Sequence, residues 1–324
     1  MRMRSSTPRH ERERGVTIAI MAVGLVALLG AAAFTIDLGN VWQNRRNLIN
    51  STDAAALAAA KDYAEQSGDG CTNGTATTYV ADNHDSATMT ACTPVIHNGT
   101  SGYVTVEAES YASYFFGPAL GLNGTDIYSN TSAKWEQPNT ATGLRPLGMC
   151  ADFLGSLSPP IDPGNGVTYR IPFIKDEGTC GDTQGNWHII DFDEGANSNN
   201  DIKDWLEDGY QGSVPIPDWY EGDPGAFSPS YATILSGLMA LDYFGLPVFE
   251  TSTDNGANAE FYVTNFAAVK LMGFQVTGAE TDRYIDIQFV NGVIQGDGGG
   301  PPTPDLGARI ISICATDATS TGNC

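Results

Sequence analysis

Residues 15–66, GVTIAIMAVGLVALLGAAAFTIDLGNVWQNRRNLINSTDAAALAAAKDYAEQ, decide the fold of this chain. The first part, residues 16–36, carries no charge, and a helix needs roughly 20 such residues to cross about 30 Å of hydrocarbon. The residues before it form a basic tail, 1–15, with five arginines against two glutamates. Because short arginine-rich flanks stay in the cytoplasm, the pattern predicts a single-pass helix with residues 1–15 cytoplasmic and the remainder extracytoplasmic.

Two other interpretations fit part of this stretch. A secretory signal peptide also has a basic start and an apolar middle, and Ala31, Ala32 and Ala33 offer a small-residue cleavage site. A buried core helix is the second alternative, although such helices rarely contain so long an uninterrupted apolar run. The continuation of the helical pattern through Trp42 to Tyr63 favours an uncleaved span.

Beyond the span, apolar residues recur at spacings of three, four and seven, which is the pattern of one amphipathic helix face. They are Leu38, Val41, Trp42, Leu48, Ile49, Ala56, Leu57 and Ala60. The segment DAAALAAAKDYAEQ is rich in strong helix formers, and glycines at 68 and 70 end the pattern. We therefore expect one rod: a transmembrane helix at 16–36 that continues as an extracytoplasmic stem at 37–66.

Charge constrains the partners of the exterior. The chain has a net charge of −22, and residues 1–15 alone carry +3, so the remainder carries −25. A surface that acidic disfavours nucleic acid and anionic lipid as partners and keeps the exterior soluble.

Six cysteines all follow the span, an arrangement typical of disulfides in an exported domain. We expect pairing between sequence neighbours: Cys71 with Cys92, Cys150 with Cys180, and Cys314 with Cys324. A zinc site is the alternative, but the chain has no CxxC motif and its four histidines are scattered.

The exterior is predicted to be α+β. Residues 67–136 form a small α+β unit whose elements include an aromatic-rich helix at 110–121, and residues 137–145 are a linker. Residues 146–324 have many strand-like runs and two helical patterns, which predicts a mainly antiparallel β domain with two helices.

No catalytic motif occurs: the chain lacks GxSxG, a Walker loop, HExxH and a well-placed GxGxxG. Residues 191–201, DFDEGANSNND, are dense in oxygen ligands but lack the EF-hand register, and a solvated turn explains them more simply than a divalent cation. We expect no enzymatic activity, no metal and no cofactor.

Small side chains follow one stripe of the apolar run, which would let another transmembrane helix approach closely. They are Thr17, Gly24, Ala27 and Ala31. Small residues are common in spans in any case, so the stripe alone does not establish a contact. Asp37 is expected at the outer interface, where its charge stays hydrated or pairs with a basic partner.

The opening residues resemble the N-terminal segment of the Flp pilus-assembly TadE/TadG-like family. The resemblance rests on a basic residue and Gly15 before the span, an Asp-Leu-Gly after it, an arginine, and an Asp-Ala-Ala-Ala-Leu-Ala run. Those later positions are Asp37, Leu38, Gly39, Arg46, Asp53, Ala54, Ala55, Ala56 and Leu57. Ile20 stands where pilins of the type IV class carry glutamate, so processing after Gly15 is doubtful and permanent anchoring is favoured.

The resemblance implies a membrane-anchored, non-catalytic component that assembles tight-adherence pili or related envelope machinery. Its expected partners are the lipid bilayer and other transmembrane or pilus subunits, contacted through the N-terminal helix. The alternative is a membrane-tethered or secreted adhesin that binds ligands without pilus subunits, and an extracellular hydrolase is a third, weaker class because no catalytic group can be assembled from motifs.

Overall fold

The structure is a computed structural model. It describes residues 11–172, 180, 188–193, 199–222, 229–253, 259–279, 282–300, 304–314 and 324.

One helix dominates the first part of the chain. Helix α1, Glu11–Ala64, is 54 residues long, which corresponds to about 80 Å at 1.5 Å per residue. Leucine, alanine and other good helix formers fill it, and no proline interrupts it. It ends four residues before the glycine at 68 that was expected to stop it, after a last turn that contains Lys61.

The second half of α1 packs against a five-stranded sheet. The sheet contains, in spatial order, β1 (Ala87–Asn98), β2 (Ser101–Ser113), β3 (Gly124–Glu136), β13 (Ala308–Ile313) and β12 (Gly292–Val293). All neighbours are antiparallel except β12 and β13. Helix α2 (Thr75–Asn83) contacts both α1 and β1. We call this assembly of α1's second half, α2 and the sheet the first unit.

Strand β2 shows why its sheet packs on the helix. Its burial alternates from residue to residue, as expected when one face of a strand meets a core. Val104, Val106 and Ala108 face inward and are fully buried, together with Leu48 of α1 and Trp135 of β3. Burial of this apolar face stabilises the first unit.

A second, six-stranded sheet lies in the following region. Its order is β5 (Met149–Cys150), β9 (Phe244–Thr253), β10 (Glu260–Gln275), β11 (Tyr284–Phe289) and β6 (Thr168–Pro172), with β8 (Asp218–Glu221) also paired to β10. Only β5 and β9 are parallel among these pairs. Strands β4 (Thr140–Ala141) and β7 (Val214–Pro215) form a separate small sheet.

Three short helices accompany the second sheet in the described part of the chain: α3 (Ala151–Gly155), α4 (Asn199–Asp208) and α5 (Ala232–Leu238). The buried residues around the second sheet form two apolar clusters. One of these clusters contains Leu206 of α4, Leu235 of α5 and Ile287 of β11. The architecture is therefore broadly α+β: a long apolar helix followed by mixed sheets and a few helices.

Some expected elements differ. The aromatic-rich helix predicted at 110–121 is wrong: β2 continues to Ser113, and only a 3₁₀ turn at Gly117–Leu120 follows. The expected apolar face of α1 is also only partly buried, since Leu38, Trp42 and Ile49 are exposed while Leu48, Ala56 and Ala60 are buried. The reason is that the helix turns a different stripe toward the sheet, as described below.

The boundaries expected between residues 67–136, 137–145 and 146–324 stay a prediction. The sheet topology runs across them, because β12 and β13 lie beyond residue 146 and complete the first sheet.

Three disulfides are present: Cys71–Cys92, Cys150–Cys180 and Cys314–Cys324. This is the pairing of sequence neighbours that was expected. Cys71–Cys92 connects the segment before α2 to β1, and Cys314–Cys324 closes a short loop after β13.

Candidate functional site

The side chains of the apolar half of α1, residues 16–36, form no core with the other described residues. Its large side chains are exposed throughout, for example Leu28 at 74% and Met21 at 71%. Among the described residues α1 is the one helix long and apolar enough to cross a membrane. Exposed apolar surface of this extent is unstable in water and indicates contact with lipid or with another apolar surface.

The four small-residue positions lie in this exposed half. A Cβ added at Gly24 would meet nothing within 4 Å, so no contact in the described part of the protein requires the glycine. The role of Thr17, Gly24, Ala27 and Ala31 in helix packing stays a prediction. Gly15 also lies within α1, one residue before the apolar run.

Asp37 is the first charged residue after the apolar run, and its carboxylate is held by the protein. It accepts hydrogen bonds from the backbone N–H groups of Phe115 (2.7 Å), Phe116 (3.1 Å) and Gly117 (2.8 Å). The Nδ2 of Asn40, one turn further along, donates to the carbonyl of Ser113 at 2.7 Å. Residues 114–122 of the loop between β2 and β3, called here the loop 114–122, are thereby tied to α1 at the level where the apolar run ends.

Of the neighbouring motif positions, Leu38 is exposed, and a Cβ added at Gly39 would have no described atom within 4 Å. Arg46 is exposed and lies over the ring of Trp42, with 5.8 Å between the guanidinium carbon and the ring centroid. These residues lie outside the contact between α1 and the sheet.

A polar cluster attaches the middle of α1 to the first sheet. The hydroxyl of Thr131 on β3 donates to Asp53 Oδ1 at 2.6 Å, and the Thr52 hydroxyl lies 2.8 Å from Ser129 Oγ. The hydroxyl of Ser51 donates to the carbonyl of Val80 on α2 at 3.0 Å. Buried polar groups stabilise a fold when they are paired, and these contacts also fix the register between helix and strand.

The alanine run is the point of closest approach. Ala55, Ala56 and Ala59 are fully buried, whereas Ala54 and Leu57 are half-buried. A Cβ added at Gly70 would lie 2.6 Å from the Cα of Ala59, so the chain after α1 returns directly onto the helix. Small side chains are required here because larger ones would push the returning chain and the sheet away from the helix.

Aromatic stacking and the hydrogen bonds of two half-buried tyrosines complete the contacts at the end of α1. The ring of Tyr63 stacks on Trp135 at 5.1 Å, and its hydroxyl donates to Asp69. Burial raises the pKa of Tyr63 and the hydrogen bond to Asp69 adds to the effect. Close by, the Tyr243 hydroxyl donates to Glu65 Oε1 at 3.0 Å, and burial followed by the Glu65 charge raises the pKa of Tyr243 to about 12.

Sequence reasoning missed the stripe that faces the sheet. From Asp37 to Ser51 the half-buried and buried positions recur every three or four residues and most of them are polar, and from Ser51 to Ala60 every position is buried or half-buried. The periodic positions are Asp37, Asn40, Val41, Asn44, Asn47, Leu48 and Ser51. The same spacing of three and four is present in the sequence and could have identified this face, because small polar residues at helical spacing also mark a packed surface.

No group of three or more histidine, cysteine, aspartate or glutamate side chains that could hold a metal occurs among the described residues. The oxygen-rich stretch at 191–201 is described only in part: residues 194–198 lie outside the described residues. Asp191 is buried, and its Oδ1 accepts from the backbone N–H of Asp193 at 3.1 Å, as in an Asx turn.

Comparison with known proteins identifies one segment. Residues 15–62 match the model of the TadE/G-like Flp pilus-assembly family, which agrees with the resemblance seen in the sequence. The match covers the apolar run, Asp37, Asp53 and the alanine run. No curated protein and no solved structure matches the chain.

Proposed function

We propose that this protein is a membrane-anchored, non-catalytic component of a tight-adherence pilus or of the machinery that assembles it. One observation carries the proposal: α1 is uninterrupted from an exposed apolar half to a half that forms the core of the first unit. Such a helix joins a lipid-soluble segment to a folded exterior with no flexible linker between them.

The family match supports the pilus-related role, because it covers both halves of this helix. The basic tail supports a cytoplasmic N-terminus. In this arrangement the folded part lies outside the cell, which suits its disulfides and its acidic surface. Contacts with other transmembrane or pilus subunits are made through the apolar half of α1.

The proposal is tested on the apolar half of the helix. We expect the double variant Gly24→Leu, Ala27→Leu to remain in the membrane after carbonate extraction but to co-purify less with pilus subunits, because leucines prevent close approach of a neighbouring helix. The matched control is Val23→Leu, Val26→Leu, which enlarges side chains elsewhere on the same helix.

Unchanged co-purification of the Gly24/Ala27 variant would contradict assembly through this stripe. Extraction of the wild-type protein by carbonate would contradict the membrane anchor itself.

A further inference from the structure

We infer that the loop 114–122 inserts into the outer surface of the lipid bilayer beside α1, and so forms a second membrane contact. The inference rests on the proposed function in that it requires α1 to be embedded. The sequence of the loop, YFFGPALGL, is apolar, and no residue from 111 to 125 carries a charge in a chain of net charge −22.

The apolar side chains of the loop are not used by the fold. Phe115 is 73% exposed, Leu120 82% and Leu122 57%, although each is large enough to contribute to a core. Apolar clusters exposed in this way mark a surface that is covered by another phase or partner.

The position of the loop identifies lipid as what covers it. The β2–β3 hairpin lies along α1: near one end Trp135 stacks on Tyr63, further along Thr131 bonds Asp53, and at the turn Phe115 bonds Asp37. Tyr63 is about 39 Å along the helix from Asp37 at 1.5 Å per residue. The turn of the hairpin is thus the end of the folded exterior nearest to the apolar run, at the level where the hydrocarbon region ends.

The backbone of the loop is prepared for a poorly hydrated environment. Asp37 accepts from the N–H groups of Phe115, Phe116 and Gly117, and the N–H of Tyr114 donates to the carbonyl of Asn123 at 3.0 Å. Directly after the 3₁₀ turn, the Leu122 N–H donates to the Gly117 carbonyl at 3.0 Å. Backbone groups paired in this way lower the cost of leaving water.

The position of Trp42 on α1 also places the membrane surface near Asp37. It is exposed on α1, about 7.5 Å beyond Asp37 along the helix axis, where tryptophan rings commonly lie among lipid headgroups. Since the exterior is acidic, the contact is with the uncharged interfacial region of the bilayer and not with anionic headgroups.

The test places one nitroxide label at a time on the full-length protein in phosphatidylcholine vesicles. The variants are Leu120→Cys in the loop, Val23→Cys in the apolar run, and Ile96→Cys as the matched exposed control at the far end of the first sheet. The six native cysteines are paired, so without reductant the label reacts with the introduced thiol. Power saturation then compares collisions with oxygen, which enriches in lipid, and with a water-soluble nickel chelate.

We expect the Leu120 label to lose collisions with nickel and gain collisions with oxygen, as the Val23 label does, while the Ile96 label stays accessible to nickel. A Leu120 label as accessible to nickel as the Ile96 label would overturn the proposal and leave the anchor intact. A Leu120 label shielded from both reagents would indicate a protein partner and would overturn it too. If the Val23 label is also in contact with water, the anchoring proposal itself fails.

Discussion

At the scale of single residues, Asp53 connects the part of α1 that matches the family model to the sheet through one side chain. The hydroxyl of Thr131 donates to its carboxylate at 2.6 Å. We expect Asp53→Ala to lower the free energy of unfolding by about 1.5–3 kcal/mol, because a hydrogen bond to a charged group is lost and a buried hydroxyl loses a partner. Denaturant unfolding in detergent, followed by tryptophan fluorescence, measures the loss.

The matched variant is Asp53→Asn, which keeps an acceptor oxygen and should lose less stability than Asp53→Ala. Equal midpoints for wild type and Asp53→Ala would show that the contact contributes nothing.

His188 makes stability depend on pH. It packs edge-on against Phe249 and Phe261, and burial lowers its pKa from 6.5 to about 4. Between those values the unfolded chain binds a proton that the folded protein does not, so stability falls as pH falls from 6.5 toward 4, by up to about 3 kcal/mol. We expect His188→Asn, which tolerates the positive φ of 57° at this position, to reduce that slope. Parallel stability curves for the two proteins would contradict the prediction.

The motif residues Asp37 and Asp53 could be identified from the sequence, but the residues that contact them could not. The positions of Asp37 and Asp53 follow from the pattern, whereas their partners, Phe115 and Thr131, are more than 75 residues away. Asp37 was expected to be hydrated or paired with a base, and the structure adds three backbone N–H groups that donate to its carboxylate. Hydrogen bonds to backbone leave no charge pattern in a sequence.

At the scale of elements, the alanine run sets the distance between α1 and the chain packed on it. We expect Ala59→Leu to cost about 1–3 kcal/mol of unfolding free energy, because the added atoms meet the backbone at Gly70. Ala58→Leu, at a half-buried position, is the control and should cost less. Denaturation midpoints in detergent compare them, and a larger loss for Ala58→Leu would contradict this packing.

The wrongly predicted helix at 110–121 shows where local sequence patterns did not suffice to predict secondary structure. Serine, alanine and aromatic residues in this stretch suit a helix or a strand, and their spacing does not separate the two. Twelve consecutive pairs between β2 and β3 decide for the strand, and the glycine and proline at 117 and 118 then permit the turn. Long-range pairing overrode a weak local preference, while the long helix, with its strong local pattern, was predicted nearly to its end.

At the scale of the whole molecule, α1 fixes the rotation of the first unit relative to the apolar half of the helix. Inserting two alanines between Ile36 and Asp37 should rotate the exterior by about 200°, whereas seven alanines should restore the rotation within about 20° while adding about 10.5 Å. If assembly depends on rotation, pilus yield should fall with two inserted residues and recover with seven.

Pilus yield in the producing cells measures the outcome. A normal yield with two inserted residues would contradict a rigid connection. Loss of yield with both insertions would mean that the distance of the exterior from the bilayer also matters.

The fold class could be predicted from the sequence, but the pairing of β13 with β3 in the first sheet could not. The sequence gives local patterns for β1 to β3 and, far away, for β13. Nothing local indicates that β13 pairs with β3, because all six strands of the second sheet lie in sequence between the partners Glu136 and Ile310.

That pairing has a consequence in time. During synthesis α1 and β3 leave the ribosome before β13, so the edge of β3 stays open while residues 137–307 are made. At 5–20 residues per second this interval lasts on the order of 10–30 s. During this interval the growing chain has already formed α1 and carries the unpaired edge of β3. Unpaired strand edges pair readily with strands of neighbouring chains. We therefore expect the yield of closed sheets to depend on the spacing between growing copies as well as on their final stability.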